Sequence, residues 1–413
     1  MAYQFFLNFF ILLLTNEQIY DIIYSYNYVQ KTNFHIKLRM CFLNKYTISC
    51  PCHFGLESVL SFEAKKIGAE NVTADNGRVT FEGDMTMIAR ANICLATAER
   101  VLIQLAEFRA LTFEELFEGV RKIPFEEFIG KTEAFPVKGY SLNSQLRSIP
   151  DCQSIIKKAA VERLKGKYGV NWFDESGAVH QIQFGIMKDV VTIYLDTSGT
   201  GLHKRGYRRN SNLAPIKETL AAGIIDLAHV RENSRVCDPF CGSGTFLIES
   251  AFKSLNIAPG INRRFSAEKW EISDSSVWSE ERKRAVSLVK KDAKFEACGY
   301  DVDEECVMLS NDNIKKAGVA SRVTAYQADI KHFDSVENSI VICNPPYGER
   351  MLELKEAEEL YRIMGRKFTM DKGNSYYIIS PHENFENFFG RKADKRRKLY
   401  NGMIKCQLFM YFK

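Results

Sequence analysis

The stretch that most restricts the fold is Asp238-Pro239-Phe240-Cys241-Gly242-Ser243-Gly244-Thr245. It follows a short β-prone run, Arg235 to Cys237. It leads into a helical pattern that opens with Phe246, Leu247, Ile248 and Ala251. Strand, glycine turn and helix in that order build a ligand cradle at the carboxyl edge of an α/β sheet. Gly242 and Gly244 let the chain bend tightly and let its backbone approach a ligand closely.

The cradle does not suit a phosphate. The lysine of a G-x-x-x-x-G-K-[ST] loop is missing, and so is a full G-x-G-x-x-G. Asp238 would set an anion beside an anion. A carboxylate there suits a cationic, amino-bearing ligand, and S-adenosylmethionine carries both a sulfonium and an α-amino group. Two further acids follow at strand ends. Asp301 closes the run Glu296 to Tyr300, and Asp329 lies just past Val323 to Gln327. The first can grip ribose hydroxyls, with Asp303 as its near rival, and the second can accept from an adenine amino group. Each acid alone could be a helix cap. Three in order after three successive strands indicate one nucleoside site.

A second corner, Asn344-Pro345-Pro346-Tyr347, follows the apolar run Ile340 to Cys343. An exocyclic amine on a nucleobase is a weak nucleophile, because its lone pair is delocalised into the ring. The Asn344 side-chain oxygen and the Pro345 carbonyl can accept its two N–H bonds. Proline locks φ and so fixes the direction of that carbonyl. Tyr347 offers a face for stacking. The target base must first leave its stack, at a cost of a few kcal/mol. Arg350, just beyond, is a candidate phosphate contact.

The 413 residues are enough for two or three domains. A net charge of +5 permits a nucleic-acid partner without demanding one. Eleven cysteines without regular spacing argue for a reducing, cytoplasmic compartment rather than a disulfide framework. Cys50-Pro51-Cys52-His53 reads as a strand end and a turn; it lacks a second ligand pair at zinc spacing, and no metal is expected. Phe5 to Leu14 is too short to cross a bilayer, and no membrane association is expected. Residues 1–43 read as an extension outside the functional fold, with Met40 as an alternative start.

From Tyr46 the order of elements is β-α-β-β-α-β, a ferredoxin-like pattern. Asp84 is placed to cap the helix Met85 to Ala96. A second unit follows, with a strand expected over Ala134 to Gly139, a helix capped by Asp151, and strands at Ile182 to Met187 and Val190 to Leu195. Its helix is expected to bury Ile155, Ile156, Ala159, Ala160 and Leu164 and to turn Lys157, Lys158, Arg163, Lys165 and Lys167 mostly outward, a face that is usually just solvated and otherwise an RNA phosphate contact. After a Gly/Ser/Thr-rich link comes Leu202-His203-Lys204-Arg205-Gly206-Tyr207-Arg208. Its His203, Lys204, Arg205 and Arg208 suit a nucleic-acid backbone, and Tyr207 suits stacking. Near the end, Ile404 to Tyr411 is expected to pair with Ser375 to Ser380.

These residues carry a resemblance. Leu202 to Arg208, Asp238 to Thr245 and Asn344 to Arg350 resemble, in that order, the motifs of bacterial THUMP-domain methyltransferases. The match is closest to the Firmicute-type relatives of the large-subunit rRNA guanine-N2 methyltransferase. The resemblance implies an α/β architecture in which a ferredoxin-like subdomain (44–110) and a THUMP RNA-binding domain (111–198), both α+β, precede a class I Rossmann-like methyltransferase sheet (199–413). It implies S-adenosylmethionine as methyl donor and 23S rRNA, or a ribosomal precursor, as substrate. The clamp itself serves guanine N2 and adenine N6 alike, so an adenine-N6 enzyme acting on DNA or RNA stays open. A non-catalytic RNA-binding assembly factor is the remaining alternative, opposed by the intact Asp238, Gly242, Gly244 and Asn344.

Overall fold

The structure, a computed structural model, describes residues 45–208, 216–334, 336–348, 351–370 and 373–412. The extension 1–43 and Arg350 lie outside the described residues. Residues Tyr46–Lys413 form a single compact unit, built on two seven-stranded sheets.

The first sheet begins with the expected β-α-β-β-α-β unit: β1 (Tyr46–Pro51), α1 (Glu57–Lys66), β2 (Glu70–Asp75), β3 (Arg78–Gly83), α2 (Met85–Cys94) and β4 (Leu102–Arg109). Asp84 caps α2, accepting from the Met87 N–H at 2.9 Å. The next unit comprises α3 (Phe113–Arg121), β5 (Val137–Leu142), α4 (Ile149–Tyr168), β6 (Ile182–Met187) and β7 (Val190–Asp196). The two units share a sheet, in the order β2-β3-β1-β4-β7-β6-β5. β4 and β7 pair antiparallel, Leu102 opposite Asp196 and Arg109 opposite Val190. Neither edge is left exposed at that junction, where unpaired N–H and C=O groups would otherwise invite another chain.

Two local expectations shift. β5 begins at Val137, and Ala134 makes only an isolated bridge to Val179; Pro136 between them has no N–H to donate. Helix α4 starts at Ile149 with Ser148 as N-cap and Pro150 in the first turn. A proline suits that place, and it leaves Asp151 inside the first turn, beside the positive end of the helix dipole, rather than at the cap. Arg163 pairs with Glu126 and Lys157 with Glu175, so part of the basic face of α4 already has partners.

The second sheet contains β8 (Arg235–Asp238), β9 (Glu296–Asp301), β10 (Val323–Gln327), β11 (Ser339–Cys343), β12 (Ser375–Ser380), β13 (Lys395–Asn401) and β14 (Ile404–Tyr411). Its order is β10-β9-β8-β11-β12-β14-β13. The first five strands are parallel and the last two antiparallel. β14 pairs with β12 as expected, but the basic run around Lys395 to Lys398 is itself the edge strand, β13. The alternation of side chains assigns each strand's residues to two faces. Val236, Ile342, Tyr377 and Leu408 pack with α5 (Glu218–Leu227) and α6 (Thr245–Leu255). Cys237, Val341, Tyr376 and Phe409 pack with α9 (Met351–Lys367) and α10 (Phe385–Phe389), which follow α7 (Ser275–Ser287) and α8 (Glu304–Lys316) in the chain.

The basic segment between the sheets is not the surface patch expected from its composition. Arg205 is buried, with its guanidinium against the Glu249 carboxylate of α6 at 3.3 Å. It also donates to the Leu202 and Ala96 carbonyls. Tyr207 is buried too, and its hydroxyl donates to Glu249 at 3.1 Å. Arg208 donates to the Thr245 hydroxyl and the Ile216 carbonyl and lies 3.6 Å from Glu218. These residues strap the first sheet to the second, so Arg205 and Arg208 are not free to meet phosphates, and Tyr207 is not free to stack. Arg205→Ala would leave Glu249 charged and buried, a change that costs about 3–5 kcal/mol. A matching fall in the urea midpoint is expected, whereas exposed Lys204→Ala should move stability by less than about 0.5 kcal/mol.

Candidate active site

The order of the second sheet reverses between β8 and β11. From β8 the chain proceeds outward through β9 and β10, and from β11 it proceeds the other way through β12. Such a reversal opens a crevice at the carboxyl ends of the two strands, where ligands bind. The two strands are direct neighbours, with Arg235 opposite Ser339 and Cys237 opposite Val341. Asp238 and Asn344 therefore leave adjacent strands in the same direction. Pro239 and Phe240, which lead into the glycine turn, and the twin-proline corner border one cleft of about 990 Å³. Its walls include Pro239, Phe240, Asp301, Asp329, Asn344, Pro345, Pro346 and Tyr347.

The glycine turn is held from behind. Ser310 of α8 donates to the Gly242 carbonyl at 3.1 Å, and Asn313, one turn on, donates to the Ser243 carbonyl at 3.0 Å. Gly242 has φ +51° and open space where a Cβ would stand. Gly244, at φ +79°, lies so close to α8 that a Cβ would come within 2.9 Å of the Ser310 hydroxyl. Cys241, Ser243 and Thr245 are buried and do not line the cleft. Their side chains face inward, and the turn's carbonyls and the Thr245 hydroxyl are held by α8 and Arg208. Burial pushes the Cys241 thiol up, so it stays protonated.

Asp238 also lies beneath the cleft wall rather than on it. Its carboxylate accepts from the Phe240 N–H at 3.0 Å. Burial drives its pKa well above the ordinary carboxylate range, and the charge of Asp301 adds to that shift. A cation brought near would reverse the shift. Asp301 does line the cleft. One of its oxygens accepts from the Gly242 N–H at 2.9 Å and the other from the Asp303 N–H at 3.1 Å. A carboxylate has about four lone-pair positions, so both oxygens keep acceptor capacity. The rival Asp303 instead caps α8, accepting from the Glu305 N–H. Asp329 caps a short 3-10 turn through the Lys331 N–H and lines the cleft as well. Between the two acids, Phe240, Val302 and Ile330 supply apolar walls. Carboxylates flanking an apolar slot, with an open glycine beside them, fit an adenosine bearing a cationic tail.

At the other corner, Pro345 is buried, and its carbonyl has no hydrogen-bond partner among the described residues. The Pro346 carbonyl is held by the Tyr361 hydroxyl at 3.1 Å. The Asn344 side-chain oxygen accepts from the Tyr347 hydroxyl, which in turn accepts from Asn401 at 3.3 Å. An amide oxygen has two lone pairs, so one remains for an amine. Tyr347 packs against the core. It orients Asn344 through its hydroxyl, a different use from the free stacking face expected of it.

The basic substrate contacts expected at the junction do not reach this cleft. His203 is half-buried 3.7 Å from Glu99, and burial together with neighbouring cations holds its imidazole down to about 4. It is neutral near pH 7 and is no phosphate cation. Lys204 is exposed. Lys217, which nothing in its local sequence marks as functional, lines the cleft and donates to Glu99 at 3.0 Å. The sequence does not mark Ser310 and Asn313 either: their spacing sets them on one helix face, but nothing local aims that face at the turn. Among the described residues no group of three or more His, Cys, Asp or Glu side chains could hold a metal ion, and no helix is long and apolar enough to cross a membrane.

Comparison with known proteins bears on this geometry. Residues 205–409 match the family model described as "RMKL-like, methyltransferase domain". Residues 47–102 match an RlmL ferredoxin-like domain, and residues 110–196 a THUMP domain. The chain is 42% identical over 373 residues to "Putative RNA methyltransferase YpsC" of Bacillus subtilis, covering 90% of this chain and 97% of that protein. It is 32% identical to "Ribosomal RNA large subunit methyltransferase K/L" of Psychromonas ingrahamii, covering 87% of this chain and 49% of that protein. The chain thus spans about half the length of the K/L relative. A solved structure described as "a putative methyltransferase complexed with SAH" superposes with a TM-score of 0.84 at 37% identity, covering 89% of this chain and 98% of that one. S-adenosyl-L-homocysteine (SAH) is accordingly the probe for the cleft. Asp301→Ala removes hydrogen bonds to a charged acceptor, worth about 1.5–3 kcal/mol. Calorimetry should show SAH affinity lower by about 10–100-fold in that variant, and within a few-fold of wild type in Asn344→Ala.

Proposed function

Since the chain belongs to the family of RMKL-like methyltransferases that carry a ferredoxin-like and a THUMP domain ahead of the catalytic sheet, we propose that it methylates the exocyclic N2 amine of a guanine in 23S rRNA. It is an S-adenosylmethionine-dependent enzyme. The observation that carries the proposal is the meeting of the two corners in one cleft, with acids for a nucleoside on one wall and paired acceptors for an amine on the other. RNA as substrate is supported by the THUMP domain and by the name of the B. subtilis relative. The large-subunit rRNA is supported by the K/L relatives, and the N2 position by the motif resemblance. In this reading the protein works in the cytoplasm, on rRNA or a ribosomal precursor.

In this assignment Asp301 and Asp329 hold the cofactor's ribose and adenine, and Asp238 faces its cationic end through the backbone of the turn. Bound S-adenosylmethionine supplies an electrophilic methyl group on a sulfonium. Asn344 and the Pro345 carbonyl accept the two N–H bonds of the amine and turn its lone pair out of the ring system. The prolines hold that carbonyl in place, and Tyr347 holds Asn344. No strong general base is required, because the methylated nitrogen sheds its proton readily to water. Most of the acceleration then comes from alignment, for which effective molarities of about 10⁵–10⁸ M are known.

The test uses purified protein, labelled cofactor and rRNA from a strain lacking the gene, followed by nucleoside analysis. N2-methylguanosine in 23S rRNA is the expected product. N6-methyladenine in DNA or RNA would overturn the assignment. Asn344→Ala is expected to lose most turnover while retaining SAH affinity, and parallel loss of both would refute the role given to Asn344.

A further inference from the structure

A second cleft, of about 820 Å³, lies beside the first, between the ferredoxin-like unit and β13. Its lining includes His53, Phe54, Asn76, Lys398 and Tyr400. It shares Lys217 and Gly402 with the first cleft, so the β13–β14 hairpin tip is the ridge between the two. The walls are fixed to each other. Arg397 donates to the Gly55 carbonyl at 2.7 Å and to the Ser58 hydroxyl at 3.0 Å. Gly55 has φ +90°, and a Cβ there would come within 2.6 Å of the Lys398 carbonyl. This close backbone approach preforms the cleft.

Its contents are aromatic and cationic. Phe54 is 55% exposed. Its ring leans on the turn at Gly77, where an added Cβ would stand 3.1 Å away. The Tyr400 ring meets it edge-on at 6.2 Å. The Lys398 ammonium lies 5.5 Å from the Tyr400 ring centre, and Lys405 stands opposite Tyr400 in the ladder. The two acids of the lining are engaged. Glu57 accepts from the Gly55 and Gly77 N–H groups, and Glu99 accepts from Lys217 beside His53. The lining of the first cleft includes the exposed Glu356, whose charge disfavours phosphate. A polyanionic strand is therefore favoured on the lysine side, across the hairpin tip.

We propose that this second cleft is a stacking site for a nucleotide flanking the target in a single-stranded RNA segment, with Phe54 and Tyr400 as base platforms and Lys398 and Lys405 toward the phosphates. Rigid aromatic faces interleaved with lysines are what unpaired bases stack on, without sequence preference. The inference rests on the RNA reading above.

The test measures anisotropy of a short labelled oligouridine and the rRNA KM in tritium-transfer assays. The paired Phe54→Ala, Tyr400→Ala variant is expected to bind oligouridine about tenfold or more weakly and to raise the rRNA KM by a similar factor, with SAH affinity unchanged. Tyr400→Phe keeps the ring and should match wild type. If the paired variant loses SAH binding, Phe54→Ala alone decides, since Phe54 lies largely in solvent. Wild-type oligouridine affinity and KM in variants that retain SAH binding would overturn the stacking site while leaving rRNA methylation standing. A wild-type enzyme that modifies only DNA would overturn the RNA reading, and the oligouridine measurement would still decide the cleft on its own.

Discussion

The parallel pairing of β8 with β11 is the constraint on which the catalytic edge depends. Two strands whose paired residues, such as Arg235 and Ser339, stand 104 positions apart in the chain would have no reason to deliver Asp238 and Asn344 to one place. Hydrogen-bonded side by side, about 4.8 Å apart, they must do so. The reversal of strand order at that point also keeps the crossing helices from closing the gap. One pairing thus creates the cleft, aims both loops into it and leaves it open.

The loops keep their shape because other elements already satisfy them. Ser310 and Asn313 hold the carbonyls of the glycine turn, and Tyr361 and Tyr347 hold the proline corner. What is left unmatched is informative. Among the described residues, the Pro345 carbonyl, the open side of Gly242 and the remaining lone pairs of Asp301 keep capacity for a ligand. Burial pushes Asp238 toward its neutral form, and the neighbouring Asp301 adds to that shift.

The buried strap of Arg205, Tyr207 and Glu249 serves a different purpose. A buried ion pair adds little net stability over a well-packed apolar contact, but breaking one is costly. Here it ties the Ala96 carbonyl of the ferredoxin-like unit to helix α6 of the catalytic sheet. The cleft between Phe54 and Tyr400 exists only because these two parts of the chain are held in one relation.

Much of this was legible in the residues themselves. Strand, glycine turn and helix at Arg235 to Leu255, and the β-α-β-β-α-β order from Tyr46, follow from local periodicity and turn chemistry, which act over a few residues. So do the acids at strand ends and the Asp84 cap. What the local sequence does not convey has a long-range origin. Arg205 and Arg208 look like a solvent-facing basic patch until Glu249 and Glu218, contributed by other elements, surround them. Tyr347 looks like a free ring until Asn401 reaches it from the far hairpin. The fusion of β4 with β7, the edge strand β13 and the aim of Ser310 and Asn313 likewise depend on which strands meet. Short-range preferences set what each segment is; burial and partner choice, which are decided only when distant segments share one interior, set what each polar side chain can still do.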